Sequence, residues 1–140
     1  MELTYIAPQT VAAGANALFN EAPVRCSSNC IGHRDGSGLV TLRGHTSQCK
    51  ARYRVSFGAN VSVPTGGTAG AVTVALAIDG EAQGGATAIV TPAAAGQFFY
   101  VGGDIYILVD RGCCVNVSVL NVGADAITMS NLNLIAERIA

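Results

Sequence analysis

The sequence predicts an all-β fold, a sandwich or barrel of antiparallel strands. Three observations carry this expectation. Apolar residues recur with a period of two along most of the chain. Clusters of Gly, Pro, Asn and Asp break these runs about every 8 to 15 residues, as in sandwiches and barrels. Only the last ten residues fit a helical stripe, and they fit a strand as well.

The elements follow in order. The first 20 residues carry short β-like pieces, TYIA and VAAGANALF. In KARYRVSFGANVSV, Tyr53, Val55 and Phe57 fall on one face and Arg52, Arg54 and Ser56 on the other. In AVTVALAIDG, Val72, Val74, Leu76 and Ile78 alternate with Ala71, Thr73, Ala75 and Ala77. DIYILVD sets Ile105, Ile107 and Val109 opposite Tyr106 and Leu108, so both faces are apolar. Such a strand is expected to be buried on both faces, as an inner strand or under a neighbouring chain. In CCVNVSVLNV, Val115, Val117 and Val119 alternate with Asn116, Ser118 and Leu120. The tail NLNLIAERIA is read as a strand because its context is β-rich. Turns are expected at PTGGTAG (64–70), DGEAQGG (79–85), TPAAAGQ (91–97), VGGD (101–104), DRG (110–112) and NVGAD (121–125).

A chain of 140 residues is one domain, 1–140, able to bury a core without staples. Half of it is apolar and only 12% is charged, against about 25% in ordinary soluble domains. So little charge predicts that copies of the chain cover part of one another. Runs such as AVTVALAI fall far short of the ~20 apolar residues of a spanning helix, so no membrane role is expected. MELTYIAPQT has neither a basic nor a continuous apolar leader segment, which points to a protein made in the cytoplasm without a signal peptide.

Charge is uneven. Residues 25 to 54 hold six cations against Asp35 alone, a net of +5, and the remainder holds two against eight acids, a net of −6. With no Trp, one Lys and no aromatic array, the block does not suggest nucleic acid. It is read as a partner-binding surface of Arg34, Arg43, Arg52 and Arg54, since Arg pairs carboxylates with two parallel bonds. The alternative is a solvated loop.

Within that block, Cys26, Cys30, His33, His45 and Cys49 follow the pattern C-x3-C-x2-H-x11-H-x3-C. These residue types bind zinc, but neither C-x2-C nor the usual H-x3–5-H spacing is present. A disulfide from Cys26 to Cys30 or Cys49 is a second possibility. A third is a His33 or His45 that meets its own copies on a symmetry axis to hold a metal or anion. The preferred reading is a loop–strand–loop whose thiols fill small apolar holes. Adjacent Cys113 and Cys114 should be unpaired, one inward and one lateral. No nucleophile signature is present, since Ser37 in DGSG is not a G-x-S-x-G elbow, and TGGTAG lacks the Lys of a phosphate loop. Asp79, Asp104, Asp110 and Asp125 are given backbone roles in turns. Asn60 and Asn116 match glycosylation sequons but lie in expected strands. Neither an enzyme nor a cofactor is expected.

Residues 50 to 140 resemble the trimeric jelly roll of the C1q and tumour-necrosis-factor type. RYRVSFGANVSV, VTVALAIDGE, TAIVTP, VGGDIYILVD and MSNLNLIAERIA stand in that family's order. The resemblance implies an antiparallel jelly-roll sandwich and a homotrimer, for which Phe98, Phe99, Tyr100 and Tyr106 are the candidate interface residues. Residues 1–20 are expected to form N-terminal strands or an arm, and residues 50–140 the jelly-roll core. The whole chain also resembles small proteins encoded in phages and prophages of gut Clostridia-like bacteria, through ALFNEAPV, GHRDGSGLVTLRG, VSVPTGGTAG, ALAIDGE, IVTPAA and RGCCV. That implies a virion component: a capsid decoration protein, a head fibre or a tail knob. Its partners would be itself, the major capsid protein or another virion protein, or a host-surface glycan. The alternatives are a carbohydrate- or receptor-binding module of a phage tail or bacterial surface, and a small metal-binding protein using the Cys/His segment.

Overall fold

A computed structural model describes residues 1–26 and 29–140. The described residues form two antiparallel sheets and no helix. The first sheet holds β1 (Glu2–Tyr5), β2 (Gln9–Val11), β3 (Glu21–Val24), β6 (Lys50–Ser62), β9 (Phe99–Asp110) and β11 (Ile127–Arg138). Its order is β3-β1-β11-β6-β9, and β2 pairs the opening of β11. The second holds β4 (Ile31–His33), β5 (Val40–Arg43), β7 (Val72–Ile78), β8 (Glu81–Val90) and β10 (Cys114–Asn121), in the order β4-β5-β10-β7-β8.

The pairing is nested. β1 pairs β11, β5 pairs β10, β6 pairs β9 and β7 pairs β8. The chain is thus one long hairpin rolled into two facing sheets, which is a jelly roll.

Alternation builds the core. Ala51, Tyr53, Val55, Phe57, Ala59 and Val61 of β6 point inward, opposite Val40, Leu42, Val74, Leu76, Val117 and Val119 of the other sheet. The expected strand over the tail is β11, whose Leu132, Leu134 and Ala136 are buried. Between Ser130 and Asn133 a bulge shifts its register against β6. Asn131 takes a positive φ there, a conformation Asn tolerates better than most residues. Asn121 is the buried polar staple. Its amide donates to the carbonyls of Val11, Ala12 and Asp125 at 2.9–3.3 Å, and its Oδ1 accepts from the Gly123 amide at 3.1 Å. All its main hydrogen-bonding capacity is used, so its burial costs little.

Several expectations need correcting. VGGD is not a turn but lies inside β9. The glycines serve packing, since a Cβ on Gly103 would come 2.9 Å from both the Ala86 carbonyl and the Phe57 ring. DGEAQGG is a turn only at Asp79-Gly80, and β8 begins at Glu81. Asp104 therefore has no turn role: it sits mid-strand and pairs with Arg54. β9 is not an inner strand of its sheet but an edge strand, with Tyr106 and Leu108 exposed. The Cys/His segment is a hairpin, β4 to β5, followed by a loop, rather than one strand between loops.

Candidate functional site

The outer surface carries two features at opposite lateral edges. The first is apolar. Of thirteen exposed large apolar side chains, Ile89, Phe98, Phe99, Tyr100, Tyr106 and Leu108 come from β8, β9 and the residue before β9. These two strands are the neighbouring edges of the two sheets. Tyr100 and Tyr106 are the most exposed of the group, at 70% and 68%. Alternation aims Tyr100, Tyr106 and Leu108 away from the core. Gly58 seats the Tyr100 ring, because a Cβ there would lie within 3 Å of the phenol.

Charge borders this edge. Arg54 lies beside Tyr106 and Arg52 beside Leu108 in the β6–β9 ladder. Arg54 grips Asp104 through Nε and Nη2 at 2.6–3.2 Å. Those hydrogen bonds hold the Asp104 carboxyl below its ordinary pKa. The pair is half exposed, so water screens it and it stabilises the lone chain little. Lys50 pairs Asp110 at the far end of the same ladder.

The second feature is a cleft of about 800 Å³ at the opposite edge, beside β3, β4 and β5. Arg25, Arg34 and Arg43 line it together with Thr41 and Asn116. The basic block is therefore not one surface. Arg34 and Arg43 belong to the cleft, and Arg52 and Arg54 to the outer face of the first sheet.

Among the described residues, no three of His, Cys, Asp and Glu are grouped to hold a metal ion. The His33 ring meets Phe19 edge-on at 6.0 Å, and its Nε2 is 2.9 Å from the Ser37 carbonyl. His45 is exposed, and its carbonyl accepts from Arg138. Cys30 lies at the core's edge, its Sγ 3.1 Å from Arg138 Nη1. Cys26 packs against the core as well. The hole-filling reading fails for Cys49, an exposed free thiol; Cys113 and Cys114 are unpaired as expected but both exposed. Cys113 is not inward, because it sits in the turn before β10 rather than in the strand. Ellman's reagent should label Cys49, Cys113 and Cys114 of the native protein quickly. Slow labelling of these three would contradict this arrangement.

Sequence reasoning missed the cleft. It singled out Arg34 and Arg43, but Thr41 and Asn116 lie far apart in sequence and meet only because β5 pairs β10. The one available signal was the polar outward position in each alternating strand.

Compared with protein-family models and with curated protein sequences, the chain matches none. Among solved structures it is similar to the C-terminal domain of EclA, a sugar-binding protein, at 17% identity over 95% of this chain and 81% of that one, with a TM-score of 0.44. The PRD1 vertex protein P5 matches at 17% identity over 99% and 95%, also at 0.44. The CBM22-1 xylan-binding domain of Paenibacillus barcinonensis Xyn10C matches at 12% identity over 100% and 95%, at 0.41.

Proposed function

We propose that the chain is a structural virion protein that works as a homotrimer, a phage capsid decoration or head-fibre knob that binds the capsid or a host surface. The observation that carries the self-association is the apolar edge. β9 is a twelve-residue edge strand with large apolar side chains on its outward face. An uncovered edge of that kind invites pairing and aggregation, and proteins cover it. A second and third copy supply the cover at a shared axis, with Phe98, Phe99, Tyr100 and Tyr106 as anchors. Aromatic side chains provide large contact area at such centres. Three copies also bind a repeating lattice more strongly than one, by avidity. The virion assignment rests on the sequence resemblance, and it requires no catalytic residue.

Native mass spectrometry without reductant or chelator tests the assembly, and co-sedimentation with the cognate phage heads tests the role. A metal-free trimer that sediments with heads is expected. A monomer would overturn the trimer, and a trimer indifferent to phage particles would overturn the virion role.

The cleft favours a second reading, a carbohydrate- or receptor-binding module. It is concave and of ligand size, within the usual range of about 300–1,000 Å³. It lies away from β9, so it stays open in a trimer built on that edge.

A further inference from the structure

The cleft beside β4 and β5 has a chemical bias, and the inference from it rests on the second reading above. Three guanidinium groups, Arg25, Arg34 and Arg43, line one concavity. Asp35 pairs with Arg25 at a long 3.5 Å, and the Asp79 carboxylate accepts from the backbone amide of Asn116, another lining residue, at 2.9 Å. Among the described residues no acid is within ion-pair distance of Arg34 or Arg43. Arg34 and Arg43 thus stand in the recess without an ion-pair partner among the described residues.

Arg43 is held in place. Its Nη1 donates to the Asn29 carbonyl at 3.0 Å and to Asn29 Oδ1 at 3.3 Å. The guanidinium lies across Gly32, where a Cβ would come 2.7 Å from Nη2. One edge of the fork is anchored and the bare glycine gives it room, so the other edge faces a ligand already ordered. Preordering of this kind removes part of the entropy cost of binding.

The floor carries a donor. Thr41 Oγ1 donates to Asn116 Oδ1 at 2.8 Å. That bond turns the Asn116 amide so that its NH2 group is left to bind an acceptor. No Trp, Tyr or Phe lines the cleft. Neutral sugars are commonly held by stacking on large aromatic faces, and the one aromatic ring among the described lining residues is the His33 imidazole, which packs edge-on against Phe19. The cleft offers forks that match carboxylate and phosphate oxygens, and amide and hydroxyl groups that match sugar hydroxyls.

We infer that this cleft binds an anionic saccharide, a glycan bearing carboxylate or phosphate groups. Arg34 and Arg43 would take the anionic group and Asn116 a neighbouring oxygen.

Isothermal titration of the full chain tests it with four probes: an oligogalacturonate, a poly(glycerol phosphate) oligomer, a neutral xylo-oligosaccharide and poly-Glu. Arg34→Ala is the test variant, since Arg34 is exposed and makes no ion pair among the described residues. Arg43→Lys keeps the charge and removes the fork. Binding of either anionic saccharide, weakened about tenfold or more by Arg34→Ala and by Arg43→Lys, is the expected result. The uronate and phosphate arms then identify the source of the anion. Equal binding of the xylo-oligosaccharide would overturn the anionic class while leaving carbohydrate binding intact. Capture of poly-Glu alone, or of no probe, would overturn both.

Discussion

Tyr106→Glu combined with Leu108→Glu is expected to convert the proposed trimer, of about three chain masses, into folded 14.2 kDa monomers. Both side chains point away from the core, at 68% and 58% exposure, so neither supports the fold of the lone chain. At an axis they would face their own copies. Two carboxylates per chain would then bring six like charges into a dry centre, where unpaired charge is strongly disfavoured. Loss of one central aromatic anchor alone costs an interface about 2 kcal/mol or more. Light scattering reads the mass and circular dichroism reads the fold. A double variant that remains trimeric would show that another surface assembles the chain. The single change Gly58→Ala, which unseats the Tyr100 ring, should loosen the assembly to a smaller degree.

The second large effect is at Tyr53. It is fully buried on β6, and its hydroxyl lies 2.6 Å from the Arg43 carbonyl and 3.1 Å from that of Cys30. One phenol thereby ties β6 of the first sheet to the β4–β5 hairpin of the second. Tyr53→Ala removes a whole ring from the core and should cost about 3–5 kcal/mol, a fall in melting temperature of ~10 °C or more at fixed protein concentration. Tyr53→Phe keeps the ring and removes the one O–H shared by the Arg43 and Cys30 carbonyls, of which that of Cys30 still accepts from the Arg43 amide, and costs about 1–2 kcal/mol. Equal losses from the two variants would show that the hydroxyl, not the ring, holds the hairpin.

Tyr53 also predicts an alkaline limit. Burial, first, and the neighbouring Cys30 push its phenol above the ordinary value of 10.0. The folded state then holds its proton more tightly than the unfolded state. Stability from this group is complete below the unfolded pKa and is lost as pH rises through the folded one. Tyr53→Phe should therefore flatten the loss of stability above pH 10. Asp104 acts at the other end, since its depressed pKa contributes stability present above its ordinary value of 3.8 and lost as pH falls through the depressed one. The exposure of its pair with Arg54 keeps that contribution small in the lone chain.

The long strands were legible in the sequence because their signal is local. Alternation at Tyr53, Val55 and Phe57, or at Val115, Val117 and Val119, follows from the pleat alone, and those residues do point inward. The same alternation says nothing about where a strand lies in its sheet. Ile105, Ile107 and Val109 opposite Tyr106 and Leu108 suit an inner strand and a covered edge strand equally, and only the pairing of β9 with β6 distinguishes them. Glycine was ambiguous for a similar reason. Gly102-Gly103 resembles a turn until Phe57 and Ala86 are placed against it. The Cys and His residues spaced like ligands form no metal-binding group among the described residues, because strand pairing, not sequence distance, sets which side chains meet. The cleft shows the division most plainly. Composition alone marked residues 25 to 54 as basic. That Arg43 is anchored by Asn29 over a bare Gly32 was decided by the β4–β5 hairpin, and the place of Asn116 beside Thr41 by β10 pairing with β5 across more than seventy residues of chain. Period and charge are properties of neighbours in sequence, whereas a recess is a property of neighbours in space.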